Sequence, residues 1–277
     1  MLNMPRLRYL RVYLAEAMIV IICLIALIPF FWMILTSLKA PPDLLRAPNA
    51  LLFMPTFENY AAVFESGIGR FFRNSVINAT GATLLATVIG VPAAYALARV
   101  HFRGDFLPLF ALIGLRFVPF IAIVLPMYFL MIRFGLVGTH VGIIFAYQIV
   151  VLPLMIWIVK SFFETISFDL EEAAMIDGCT RAQAFRLIAL PLVAPAVGTV
   201  AILGFIMCWN EFFIAMLFGG RDVSPLTVGI QSFVAQEYAG AQFGPLSAWG
   251  TVTSVPIVVV AMLLSKYLVR GLGGVNE

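Results

Sequence analysis

Residues 170–192 read LEEAAMIDGCTRAQAFRLIALPL. Glu171, Glu172, Asp177, Arg181 and Arg186 all fall in this stretch, although charge is scarce elsewhere. Of the 277 residues, 62% are hydrophobic and 11% charged, whereas soluble domains carry about 25% charged residues. The local pattern encodes a helix, a sharp turn and a second helix. Asp169 with Glu172 forms a D-x-x-E capping box, with Asp169 at the N-cap. The acids of the first turn suit the helix dipole. Gly178 stands where a left-handed residue would end the first helix. Thr180 and Gln183 form a second box, T-x-x-Q. Phe185, Ile188, Ala189 and Leu192 then follow at helical spacing as one apolar stripe. Such a pair of helices either rests on a bilayer surface or docks on another protein.

The rest of the chain puts this elbow in a membrane protein. A bilayer core of about 30 Å needs about 20 apolar helical residues. Six stretches meet that length, 12–36, 74–98, 107–131, 140–160, 193–218 and 247–269. The predicted fold is therefore an all-α membrane protein of six transmembrane helices, forming one domain over 1–277. The elbow lies in a loop, 161–192, between spans 4 and 5. The basic N-terminal start and first apolar run are longer than a secretory leader's core, and read as an uncleaved first span. Arg6, Arg8, Arg11, Arg99, Arg103, Lys160, Arg181, Arg186, Lys266 and Arg270 fall on one side of these spans. Lys39, Arg46, Arg70, Arg73, Arg133 and Arg221 fall on the other. The bias predicts both termini and the elbow inside.

The same composition narrows the chemistry. The net charge of +3 comes without a basic run, which argues against nucleic acid. Cys23, Cys179 and Cys208 have no paired spacing, and His101 and His140 are far apart, so neither a disulfide framework nor a metal site is expected. A P-loop needs a Gly-Lys pair; Lys39, Lys160 and Lys266 follow Leu38, Val159 and Ser265. Any ATP, with its Mg, must therefore be handled by other chains, and this chain carries no cofactor of its own. No Ser-His-Asp constellation supports a membrane enzyme. A proton- or ion-coupled secondary transporter would show intramembrane acid relays, and Glu211 is nearly the only acid within a span.

Glu172-Ala173-Ala174, Gly178 and Ile188-x-Leu190-Pro191 together resemble the EAA motif of binding-protein-dependent ABC importer permeases, matched at each specified position. Weaker stretches extend the resemblance, in the same order, to the MalG-type permease subunits of carbohydrate importers: Pro29-Phe30-Phe31-Trp32 through Ser37-Leu38-Lys39, Phe57-Glu58-Asn59-Tyr60, Asn74-Ser75, Ala93 through Arg99, Trp209-Asn210-Glu211-Phe212 and Val269-Arg270-Gly271-Leu272. The resemblance implies a non-catalytic transport subunit in a bacterial or archaeal inner membrane. It also implies its partners: a second, homologous permease subunit, two ATPase subunits and an extracytoplasmic solute-binding protein that delivers a sugar-like solute. Glu171, Glu172, Ala173, Ala174, Asp177 and Gly178 would then contact the ATPase. The tail Gly273–Glu277 departs from the family's usual ending, which puts a tail contact with the ATPase in doubt.

Polar residues inside spans are costly and usually functional. Arg116 could bond backbone carbonyls, pair with Glu211, or attract an anionic group of the solute. Asn74, Asn78, Tyr147, Gln148, Asn210, Glu211 and Thr251 are candidate pathway residues. The competing reading for each is hydrogen bonding between helices. Gln231, Ser232 and Gln236, in the outer excursion 219–246, could touch the binding protein.

Overall fold

The computed structural model describes residues 4–46, 49–100, 114, 118–236 and 243–273. Among these residues every regular element is a helix. In chain order they are α1 (Met4–Ser37), α2 (Pro41–Arg46), α3 (Glu58–Glu65), α4 (Ile68–Arg99), α5 (Phe120–Arg133), α6 (His140–Ala146), α7 (Gln148–Thr165), α8 (Asp169–Ile176), α9 (Arg181–Ala184), α10 (Leu190–Asn210), α11 (Phe213–Phe218), α12 (Leu226–Gln236) and α13 (Phe243–Gly273). A π-helical turn, Phe185–Ala189, joins α9 to α10. Among the described residues, five stretches are long and apolar enough to cross a membrane: Val12–Ser37, Ile68–Arg99, Gln148–Thr165, Arg181–Asn210 and Phe243–Met262. Much of the expected span 107–131, including Arg116, lies outside the described residues, as does His101. Its described part, α5, starts after Pro119 and is shorter.

The boundaries of two expected spans need correction. The stretch 140–160 is interrupted at Tyr147, which separates α6 from α7. The stretch 193–218 is not one helix. It begins earlier, at the elbow, and breaks at Glu211, whose backbone is extended (φ −71°, ψ 121°). Apolar periodicity does not see such a break, because the side chains on both sides of it remain apolar.

The chain divides into two compact units, Met1–Gly67 with Phe233–Ser254 and Ile68–Ser232 with Val255–Glu277. In the first unit, the buried Asn59 amide donates to the carbonyls of Ser37 (2.9 Å) and Lys39 (2.7 Å). The Ser37 and Tyr60 hydroxyls meet at 2.8 Å. The Lys39 ammonium is fully buried and lies over the Trp32 and Phe53 rings, 5.1 and 5.3 Å from their centres, a cation–π arrangement that favours a desolvated cation. These bonds explain the Ser37-Leu38-Lys39 and Asn59-Tyr60 stretches as one clamp that fixes the loop after α1.

In the second unit, α4 packs on α7 and α10. Its buried face carries Ala79, Ala82, Ala86, Gly90 and Ala94, a seam of small residues that lets helices approach closely. The approach is tight at Gly90, where a Cβ would stand 2.8 Å from Met155 Cγ. Below the seam, Val91, Tyr95, Met155, Ile156, Val159, Phe163, Ala189 and Val193 close a core at the end of the unit that carries the elbow.

Candidate functional site

The elbow folds largely as its sequence dictates, with one corrected cap. Helix α8 starts after Phe168 and no side chain caps it. Asp169 is therefore inside the helix rather than at its N-cap. Ser167 explains the shift: its hydroxyl accepts from the Asp169 N–H and donates to the Asp169 carboxylate, so the turn is organised two residues upstream. The second capping box is complete. The Gln183 N–H donates to the Thr180 hydroxyl, and the Thr180 N–H donates to the Gln183 side chain at 2.7 Å. Between the helices Gly178 has φ +99°, a conformation that a residue with a Cβ adopts only with strain.

The apolar stripe after the turn also differs from a plain helix. Ala184, Ala189, Val193, Ala196 and Val200 are buried, while Leu192 is exposed. The first step of that series is five residues, not four, because of the π turn Phe185–Ala189. This wide turn lies just ahead of Pro191, which has no N–H to give to the helical ladder. The extra residue rotates the following helix and takes Leu192 off the inward face.

Helix α8 presents two chemically different faces. Glu171 is fully buried, and Ala174 and Met175, three and four residues on, are half-buried behind it. Glu172, Ala173, Ile176 and Asp177 are exposed. Ile176 is 85% exposed and Leu170 50%, so the outer face combines acids with bare apolar side chains. Glu171 itself points away from that outer face. Its carboxylate accepts from the Tyr95 hydroxyl at 2.6 Å and from Arg99 Nε at 2.8 Å. Arg99 also donates to the Ile166 carbonyl at 3.0 Å, and its guanidinium lies 5.5 Å from the centre of the Phe168 ring. Removing one partner of a buried pair of this kind costs about 3–5 kcal/mol. Arg99 and Tyr95 are functional candidates that the sequence reading passed over. The available signal was their spacing: a hydroxyl and a guanidinium one turn apart, at the end of a span, face the same way.

The candidate pathway residues fall into distinct places. Asn74 and Asn78 are fully buried and are spent on the loop after α11. Asn74 donates to the carbonyls of Asp222 (2.8 Å) and Ser224 (3.1 Å), and Asn78 donates to that of Val223 (3.1 Å). Asn78 Oδ1 also meets His140 Nδ1 at 2.8 Å, and the Ser75 hydroxyl accepts from the Leu226 N–H. Gln148 donates to the carbonyls of Ala82 and Ile144. Thr251 donates to the Ser247 carbonyl within its own helix.

Glu211 organises the break between α10 and α11. Its carboxylate accepts from the Ile214 N–H at 3.0 Å. Its carbonyl, freed by the break, accepts from the Thr227 hydroxyl at 3.0 Å and from the Tyr147 hydroxyl at 3.4 Å. The interruptions at Tyr147 and Glu211 therefore meet. Asn210 beside them is exposed, its amide bonded to the Ile206 carbonyl. Ser232, Gln236 and 237–242 offer no described side chains, while Gln231 is exposed. Among the described residues no cluster of His, Cys, Asp or Glu could hold a metal ion.

Comparison with known proteins agrees with this architecture. The chain is 36% identical over 258 residues to the trehalose/maltose transport system permease protein MalG of Thermococcus litoralis, covering 91% of this chain and 92% of that one. It is 34% identical over 256 residues to the diacetylchitobiose uptake system permease protein NgcG of Streptomyces coelicolor, covering 91% and 84%. It is 35% identical over 249 residues to the sulfoquinovosyl glycerol transport system permease protein SmoH of Agrobacterium fabrum, covering 89% and 87%. The fold matches a chain of a bacterial ABC transporter involved in the import of the acidic polysaccharide alginate, with a TM-score of 0.78 at 23% identity over 95% of this chain and 98% of that one. Residues 86–274 match the family model of the binding-protein-dependent transport system inner membrane component, a span that contains the elbow, its Arg99 anchor and the break at Glu211. The chain belongs to that family, the non-catalytic, multi-pass permease subunits of ABC importers.

Proposed function

We propose that this chain forms half of the path by which an ATP-driven importer moves a sugar or sugar-like solute across the cytoplasmic membrane of a bacterium or archaeon. In this reading the whole chain is one permease domain of six spans, with both termini and the elbow in the cytosol. A second, homologous permease subunit completes the path. Two ATPase subunits supply the work, and an extracytoplasmic binding protein delivers the solute. The observation that carries the reading is the two-faced helix α8: one acid is locked inward while Glu172, Ala173, Ile176 and Asp177 stay exposed beside a left-handed Gly178. An isolated exposed isoleucine needs no explanation. An exposed acidic and apolar face on a helix anchored from behind suits a groove on a partner. Glu172 pairs there with a basic residue. Closure of the ATPase pair on ATP then moves the elbow, and the spans switch between outward- and inward-open. The carbohydrate class is supported by the trehalose/maltose, diacetylchitobiose and sulfoquinovosyl glycerol systems to which the relatives belong.

The test is solute uptake into proteoliposomes that contain this chain and its partner subunits. Uptake is expected to require ATP and the solute-loaded binding protein, and to persist when an ionophore collapses the proton gradient. Uptake that survives removal of the ATPase subunits but collapses with the gradient would contradict the reading and favour a secondary transporter.

A further inference from the structure

The buried acid of the elbow does more than fill space. Both Glu171 carboxylate oxygens are held by α4: one by the Tyr95 hydroxyl, the other by Arg99 Nε. The side chains of Arg99 and Glu171 are 7% and 1% exposed. Arg99 is the last residue of α4, and three features of the α7–α8 junction converge on it: the Ile166 carbonyl that closes α7, the Phe168 ring that precedes α8, and Glu171 in the first turn of α8. Tyr95 is held in turn, its ring centre 5.4 Å from that of Phe163 on α7 and 4.6 Å from that of Phe185 in the π turn. A shift of α8 must therefore carry the end of α4 with it or break a buried, charge-assisted pair. The packing alone does not call for charge here, because replacing a buried ion pair by well-packed apolar residues of similar volume is often neutral or stabilising. Two directed, charge-assisted bonds to one carboxylate, from Tyr95 and from Arg99, instead fix direction and register.

We infer that Tyr95, Arg99 and Glu171 form a strut that transmits movement of the elbow to the membrane span α4, so that they are positioning residues for transport. The inference rests on the proposed docking of the elbow on an ATPase subunit. Helix α4 is the element that binds the loop after α11 through Asn74 and Asn78, and the first residue of α12 through Ser75, at its other end. The strut therefore connects the elbow, through one continuous helix, to the opposite end of the unit.

The experiment uses the whole transporter in proteoliposomes and reads two quantities: solute carried per ATP hydrolysed, and the amount of ATPase subunit that co-purifies. Arg99→Lys keeps the charge but loses the paired donors to Glu171 and the Ile166 carbonyl and the planar face over Phe168. Glu171→Gln keeps the shape but loses the charge. Each is expected to retain the ATPase subunits while solute per ATP falls about two- to thirtyfold, the range over which residues that carry coupling between sites act. Tyr95→Phe keeps both ring contacts and the ion pair, and is expected to lower the ratio less, in the same direction. It decides the matter if the charge variants do not assemble. A native ratio in all variants that assemble overturns the strut, as does a loss of uptake fully explained by loss of the ATPase subunit. Gly178→Asp, run in parallel, separates this from the docking proposal. If it keeps its ATPase partner and native coupling, the docking is wrong; if it loses the partner while the strut variants couple normally, only the strut is wrong.

Discussion

Gly178→Asp is expected to reduce uptake by more than about tenfold, equivalent to about 1.4 kcal/mol, while the chain still inserts in the membrane. Two effects combine. At φ +99° any Cβ is strained, by about 1–2 kcal/mol for a left-handed residue. The second effect lies outside this chain. A Cβ on Gly178 would meet nothing within 4 Å, so the space beside it is open here and a side chain would project toward whatever covers the elbow. Gly178→Ala isolates the backbone part and should lose less uptake than Asp. Glu172→Lys reverses an exposed charge without touching the Arg99–Glu171 pair, and should also lose the ATPase partner. Uptake assays with co-purification of the ATPase subunit check all three. Normal uptake by both Gly178→Asp and Glu172→Lys would remove the docking claim.

The second large effect is expected at the other end of α4. Asn74→Leu with Asn78→Leu removes the amides that pair the carbonyls of Asp222, Val223 and Ser224. Each buried polar group left unpaired costs about 1–3 kcal/mol, so the double variant should unfold the loop after α11 or lower the stability of the whole unit by several such increments. Thermal unfolding in detergent measures the loss, and limited proteolysis near Arg221, which is exposed, locates it. Unchanged stability and protection would mean that these asparagines do not hold the loop.

What the sequence made legible follows from the range of each signal. The glycine turn and the Thr180–Gln183 box depend on three or four neighbouring residues, and both form as their spacing predicts. The box at Asp169 satisfied the same local rule and failed, because Ser167, outside its four-residue frame, competes for the Asp169 N–H. Helical spans were visible from their apolar length. The breaks at Tyr147 and Glu211 were not: the Glu211 carbonyl freed by its break is paired by the Thr227 and Tyr147 hydroxyls, 16 and 64 positions away. The roles of Asn74, Asn78 and Glu171 were invisible for the same reason. Polarity within or beside a membrane marked them as important, but only the fold shows that their partners are loop carbonyls in two cases and a guanidinium with a phenol in the third. Composition could not tell Glu171 from Glu172. One position on a helix, a rotation of about 100°, turns the first inward to Arg99 and the second outward.

That difference between adjacent acids makes the docking of α8 on an ATPase subunit open to a single measurement. A photo-crosslinking amino acid placed at position 176, on the outward face of α8, should yield on illumination an adduct of this chain with an ATPase subunit. The adduct should disappear in the Gly178→Asp background. Crosslinks confined to lipid, or an adduct equally strong from position 175 on the half-buried face, would contradict the account.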